Sequence, residues 1–254
     1  MERKTAQEFD QELLDIYDYY AHGLIDRRTF LERAAKFAVG GLTALALLEM
    51  LSPNYALAVQ VPKEDARVKS DYLKYASPDG SGEMRGLFAK PANATGKLPG
   101  VIVVHENRGL NPYIEDVARR VALAGYVAFA PDALYPAGGY PGTDEAGVAL
   151  QRTLSTAKIT EDFVAATKFL HTHADCNGSI GVTGFCFGGG MANTLAWRLP
   201  DIVKASAPYY GGQPSAENAA KIKAELALHY AALDTRITGN WPPYETALKA
   251  AGVK

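Results

Sequence analysis

Ser179-Ile180-Gly181-Val182-Thr183-Gly184-Phe185-Cys186-Phe187-Gly188-Gly189-Gly190 is the stretch on which the fold of this chain turns. Ser179 to Thr183 reads as a strand and Gly188 to Leu199 as a helix, and between them the chain bends in a G-x-C-x-G-G pattern. Glycine stands two residues to either side of Cys186 because side chains there would collide. The bend presents the sulfur at a helix N-terminus, whose partial positive charge favours thiolate. The plainer alternative is a buried cysteine packing as a small hydrophobe. The order strand, bend, helix favours a nucleophile. A phosphate-cradling loop fits poorly, because Phe185 and Phe187 make the bend apolar and no Lys or acidic ribose partner is suitably placed.

Working outward, the chain repeats the same grammar. Val101 to Val104 is a continuous β-branched run, as expected of a strand buried on both faces. Pro112 to Ala124 follows as a helix, with Asn111 as N-cap, Pro112 at the first helical position and Gly125 as the stop. Tyr126 to Ala130 is a strand, Thr160 to His173 a helix, Ala205 to Tyr210 and Glu225 to Ala231 strands, and Tyr244 to Ala251 a helix. Before them, Asp71 to Ala76 and Met84 to Lys90 flank Pro78-Asp79-Gly80-Ser81-Gly82 as a β-hairpin. A leading hairpin and then β-α units imply an α/β fold with a mostly parallel, doubly wound sheet. Ligands then bind beyond the carboxyl ends of the strands.

Two other segments stand at such ends. His105-Glu106-Asn107-Arg108-Gly109-Leu110 crowds polar groups after a buried strand, where they need partners or a task. The local alternative is a cap at Asn111 and an ion pair between Glu106 and Arg108. Asp234, within Leu233-Asp234-Thr235-Arg236-Ile237, follows the strand after next from the bend. That is a place for a carboxylate that orients an imidazole; alone, an Asp there is an ordinary turn residue.

Composition sets outer bounds. In 254 residues, 48% are apolar and 21% charged, with a net charge of −2 and no basic stripe, so nucleic acid is not an expected partner. The two cysteines, Cys176 and Cys186, flank one strand and are expected to be free thiols. Residues 1–58 form an N-terminal segment of their own, and residues 59–254 the globular domain. Asp26-Arg27-Arg28-Thr29-Phe30-Leu31, the apolar run Ala34 to Leu48 and Ala56-Leu57-Ala58 resemble a twin-arginine export signal with cleavage before Val59, which implies a periplasmic protein. The alternative is an attached amphipathic helix on a cytoplasmic protein, since Phe9, Leu13, Ile16 and Tyr17 recur at helical spacing. No stable membrane span is expected.

Together, Val101 to Leu110 with Glu106, the bend Gly184 to Gly190 with Cys186, and Tyr230-Ala231-Ala232-Leu233-Asp234 resemble the dienelactone hydrolase family. The resemblance runs from about Tyr72 onward. It implies an α/β-hydrolase fold, no cofactor, no metal, and a small ester or lactone as substrate. It further implies Cys186 as nucleophile, Asp234 as triad acid and Glu106 as the carboxylate that holds the resting thiol. The oxyanion hole would be the backbone N–H groups of Phe187 and Asn107, donors fixed before charge develops on the substrate.

The chain departs from that pattern in two places. The family's triad histidine lies beyond the triad acid, and here the five histidines are His22, His105, His171, His173 and His229, none of them after Asp234. Of these, His105 and His229 sit on or beside strands that lead toward the site. Within Asp132-Ala133-Leu134-Tyr135-Pro136-Ala137, Ala137 stands where some members carry an arginine that grips a substrate carboxylate. The expectations that follow are a C-terminally truncated fold lacking its last strand and helix, an impaired hydrolase or an inactive binding remnant, and an apolar sheet edge at Glu225 to Ala231 that invites self-association. A thiol redox role ranks last, because no resolving cysteine is within reach of Cys186.

Overall fold

A computed structural model describes residues 5–254 of the chain, which separate into two compact units divided between Ala58 and Val59. In the first, α1 (Gln11–Ala21), α2 (Arg27–Ala34) and α3 (Ala44–Leu51) are capped by Asp10, Asp26 and Thr43, followed by a short α4 (Tyr55–Ala58). Leu13, Ile16, Phe30, Ala34, Leu47 and Leu48 are buried together in a small core. The apolar run from Ala34 to Leu48 is not one helix: Gly40 and Gly41 take left-handed backbone with φ of 64° and 87° and interrupt it. No helix among the described residues is long and apolar enough to cross a membrane.

The second unit is built on a seven-stranded sheet in the order β1-β2-β4-β3-β5-β6-β7. β1 (Val68–Ser77) and β2 (Gly82–Pro91) pair antiparallel as the expected hairpin, one to three residues longer at each end than the alternation suggests. The turn is held from outside, because the buried Asp162 carboxylate accepts from Ser81 N–H at 2.8 Å and from Ser81 Oγ at 2.7 Å. β2 meets β4 (Val127–Pro131) antiparallel. β3 (Leu98–Val104), β4, β5 (Cys176–Phe185), β6 (Val203–Tyr209) and β7 (Glu225–Leu226) run parallel to one another along the sheet.

β-branched runs become central strands because both faces are covered. Ile102 and Val104 point to one face, with Phe163 and Leu170 of α7 (Thr156–Thr172) and Met191 and Leu195 of α8 (Phe187–Arg198) in the same core. Val103 points to the other, with Ile114, Val117 and Ala118 of α5 (Pro112–Leu123). α5 begins as the sequence implies, Asn111 Oδ1 accepting from Ile114 N–H at 3.1 Å, and stops before Gly125 with φ of 96°. α6 (Asp144–Gln151) lies in the long connection between β4 and α7. After β6 come α9 (Ala216–Ala219), β7, α10 (Thr235–Thr238) and α11 (Trp241–Ala250).

The expected strand Glu225 to Ala231 is the one element that differs in kind. Only Glu225–Leu226 is regular, with an isolated parallel bridge between Tyr209 and His229. β7 is the last strand of the sheet, with β6 on one flank and on the other a single bond from Leu226 N–H to Lys254 O, and the chain leaves regular pairing while still donating from Ala227 N–H to Ser206 O and from His229 N–H to Pro208 O. The final helix starts earlier than expected, at Trp241, because two prolines occupy its first turn, where a missing N–H costs nothing.

Candidate active site

Sheet register brings the candidate residues to one level. Val104 of β3 is paired with Gly184 of β5, and Phe185 of β5 with Tyr209 of β6. Two residues past the first pair lie Glu106 and Cys186, and one past the second lie Cys186 and Tyr210. Asn107 and Phe187 are the next residues on their segments. Four of the five candidates from the sequence are thus carried on the carboxyl ends of two adjacent central strands, where an open α/β sheet binds its ligands.

The bend at Cys186 is sharp and strained. Cys186 is the N-cap of α8 with φ 55° and ψ −113°, a backbone conformation that L-residues rarely adopt, and it is partly exposed. What holds it there is the close approach of its neighbours. A Cβ on Gly188 would stand 2.4 Å from Val104 O and 2.6 Å from His105 O, and one on Gly184 would stand 2.2 Å from Gly188 O. The first turn of α8 therefore rests directly on backbone at the end of β3. Cys186 N–H donates to Tyr209 O at 3.1 Å, which fastens the bend to β6 as well. Phe187 opens α8, in the turn whose N–H groups have no acceptor within a helix. Cys176, at the other end of β5, is buried, and both cysteines are free thiols.

Glu106 is gripped on both carboxylate oxygens. Tyr210 Oη donates to its Oε1 at 3.3 Å, and Arg108 Nε lies 3.0 Å from its Oε2. The local ion pair allowed by the sequence is therefore present, and so is the cap at Asn111. Arg108 also reaches across to α6, where its Nη1 donates to Asp144 Oδ2 at 2.8 Å; Tyr140 Oη donates to Asp144 Oδ1 at 2.9 Å. Tyr210 itself has φ of 41°, left-handed for a non-glycine residue. Burial, then the charge of Glu106 and the nearby Cys186, push its phenol above the usual tyrosine range, so it remains a hydrogen-bond donor.

Neither histidine near the sheet ends is presented as a base. His105 is fully buried; its Nε2 accepts from Ala133 N–H at 3.2 Å, which leaves Nδ1–H to donate to Glu106 O. Burial lowers its pKa to about 4, so the ring is neutral and structural. His229 stacks flat on Tyr209, the ring centroids 4.1 Å apart and 5° from parallel.

Among the described residues Asp234 makes no hydrogen bond or ion pair with this group. It lies beyond β7 as the N-cap of α10, accepts from Ile237 N–H at 3.3 Å, and pairs with Arg236 at 3.1 Å. Its polar contacts among the described residues are made within its own turn. Sequence reasoning missed Tyr210 and Asp144. The sequence does carry Tyr209-Tyr210-Gly211-Gly212 directly after a strand, but nothing in it reveals a positive φ at Tyr210 or which helix supplies a partner for Arg108.

The sheet order, the crossovers and the strained strand-to-helix bend define an α/β-hydrolase fold. Residues 84–254 match the model of the dienelactone hydrolase family, and the chain belongs to that family. Residues 1–36 match a model described as YqhI-like. Over 111 residues the chain is 61% identical to the putative hydrolase fragment YghX of Escherichia coli (strain K12), covering 44% of this chain and 95% of that one. It is 39% identical over 142 residues to a putative carboxymethylenebutenolidase of Synechocystis sp. (strain ATCC 27184 / PCC 6803 / Kazusa), covering 53% of this chain and 56% of that protein. The chain thus spans about half the length of the carboxymethylenebutenolidases it matches. The crystal structure of a putative dienelactone hydrolase from Klebsiella pneumoniae superposes with a TM-score of 0.61 at 26% identity, covering 73% of this chain and 82% of that one.

Proposed function

We propose that this protein is a cysteine-dependent hydrolase of small carboxylic esters or lactones. Cys186 is its nucleophile, Glu106 the carboxylate beside the resting thiol, and the backbone N–H groups of Phe187 and Asn107 its oxyanion donors. The observation that carries the reading is the backbone of Cys186. A residue forced to φ 55° between two glycines packed on neighbouring backbone stores strain that ordinary packing would not retain.

In this mechanism the sulfur attacks the carbonyl carbon and a C–S bond forms while the oxygen takes negative charge toward the two amides. The C–O bond then breaks, the alcohol departs with a proton, and water hydrolyses the thioester to return acid and thiol. Proton transfer is the weak step. Asp234 is engaged with its own turn, and His105 and His229 are engaged elsewhere. Positioned acid–base help is worth about 10² to 10⁴ in rate, so turnover that relies on these three groups alone is expected to be slow. Self-association through the edge strand β7 and export directed by residues 1–58 belong to the same proposal; a monomer in sedimentation would remove the first, and retention of the full chain in the cytoplasm the second.

A second reading, a binding protein that keeps the fold without turnover, is favoured by the engagement of Asp234, His105 and His229 elsewhere. Hydrolysis of 4-nitrophenyl acetate by the chain and by Cys186→Ser separates the two. Equal rates would remove the enzyme reading.

A further inference from the structure

Resting on the reading of residues 1–58 as an export segment, we propose that the chain is processed just ahead of Val59, and that Asp116 and Arg119 of α5 form the clip at which processing stops. Both side chains are charged, yet they are buried, at 1% and 4% exposure. Burying a charge is costly unless hydrogen bonds or a partner offset the lost hydration. Here the bonds go to the backbone of a dipeptide more than fifty positions earlier in the chain.

Asp116 Oδ1 accepts from Gln60 N–H at 3.1 Å and from Val61 N–H at 2.7 Å, and Arg119 Nε donates to Val61 O at 2.7 Å. Gln60 and Val61 belong to no helix or strand, so side chains of α5 satisfy backbone groups that secondary structure leaves unpaired. The Val61 side chain is 3% exposed and belongs to the same buried core as Ile114, Val117 and Ala118 of α5. Neighbouring charges complete the arrangement: Asp116 Oδ2 lies 3.3 Å from Arg120 Nε, and Arg119 Nη1 lies 3.6 Å from Glu115 Oε2.

The chain is exposed on both sides of this clip but held differently. Ahead of it, Leu57 is 79% exposed and α4 is a single turn, with Ala56 and Ala58 in the small-x-small pattern that a signal peptidase cuts. Behind it, residues 62–67 form a turn pinned by Val61 at one end and by Val68 of β1 at the other, with Asp65 N–H donating to Pro62 O and Val68 N–H to Asp65 O, each at 3.1 Å. Cleavage requires the backbone to open locally. Hydrolysis of the Ala58–Val59 bond by water leaves a carboxylate on Ala58 and an ammonium on Val59, and every bond of the clip survives it. A cut inside the turn requires the clip to open.

The test uses the full chain and trypsin. No Lys or Arg lies between Lys36 and Lys63, so trypsin passes over the processing segment and reads the pinned turn through Lys63 and Arg67. These two sites are expected to resist in the unaltered chain. Asp116→Ala, which leaves two amides without their acceptor, is expected to speed cleavage there by about tenfold or more; Asp116→Asn, which keeps an acceptor, is expected to show a smaller increase. Hydrogen exchange reads the clip without a substitution: the Gln60 and Val61 amides are expected to exchange about 10²-fold more slowly than that of Val59. In bacterial cells the exported form is expected to begin at Val59 by intact mass. Equal exchange at the three amides, cleavage at Lys63 or Arg67 as fast in the unaltered chain as in Asp116→Ala, or an exported form that begins beyond Asp65, overturns the clip. Full-length chain found only in the cytoplasm overturns the export reading and the processing with it, and the trypsin and exchange results then judge the clip alone.

Discussion

The carboxyl ends of β3, β5 and β6 and the segment beyond β7 are built on opposite terms. At the first, two non-glycine residues, Cys186 and Tyr210, are held at positive φ, and the Arg108 ion pairs cross from one loop to a distant helix. At the second, the Asp234 carboxylate caps the helix that follows it and pairs two residues on, and the regular part of β7 is two residues long. Strain and long-range charge coupling persist only where surrounding structure over-determines them. The contrast marks the strand ends at Cys186 as the region shaped by something other than stability.

The largest expected effect comes from removing the sulfur. Cys186→Ala should reduce 4-nitrophenyl ester turnover by about 10² or more, whereas Asp234→Ala, which removes a cap from the less constrained region, should cost about 1 kcal/mol of stability in urea unfolding. An Asp234→Ala chain that lost turnover as fully as Cys186→Ala would join the two regions into one site.

Next in size is the packing that enforces the bend. Gly188→Ala must push a methyl into the carbonyl oxygens of Val104 and His105 and should destabilise by about 3 kcal/mol. Gly212→Ala, whose added carbon would meet nothing within 4 Å, should change unfolding by less than about 0.5 kcal/mol. Similar costs at the two positions would contradict the close approach.

The acid side of the stability curve offers a third test. His105 in the folded protein titrates near pH 4, below its value of about 6.5 in an unfolded chain, so the unfolded state binds more protons between those values. Its contribution is complete above about pH 6.5 and is lost as pH falls toward 4, to a total of about 3 kcal/mol. Urea titrations at pH 7.5 and pH 5 should show a loss that His105→Gln diminishes.

The smallest effect concerns strain itself. Cys186→Gly can adopt φ 55° without penalty and should raise stability by about 1 kcal/mol while abolishing reactivity toward iodoacetamide. A loss of stability would mean that the backbone at this bend is not strained.

Much of the fold was legible because its signals are local. The β-branched run at Val101 to Val104, the cap and stop around α5, and the glycines around Cys186 each report on neighbours within a few residues. Boundaries were less legible: β5 extends through Cys176 to Phe185, because pairing on both flanks keeps it extended beyond its apolar center. β7 was overestimated for the converse reason, since apolar content in Leu226, Ala227 and Leu228 cannot say how many partners a strand will find. Asp234 could be placed after a strand by counting, but whether its carboxylate turns to a site or to its own helix depends on hydrogen bonds that counting does not contain.

By itself the sequence determined that a cysteine sits between glycines where a central strand passes to a helix, with an acidic loop following another strand, because periodicity and glycine spacing are properties of the local backbone. Only the tertiary structure decided that Glu106, Cys186 and Tyr210 stand at one level and that Arg108 is shared between Glu106 and Asp144. Strand register and helix docking set those distances, and both arise from packing between segments that the chain itself holds far apart.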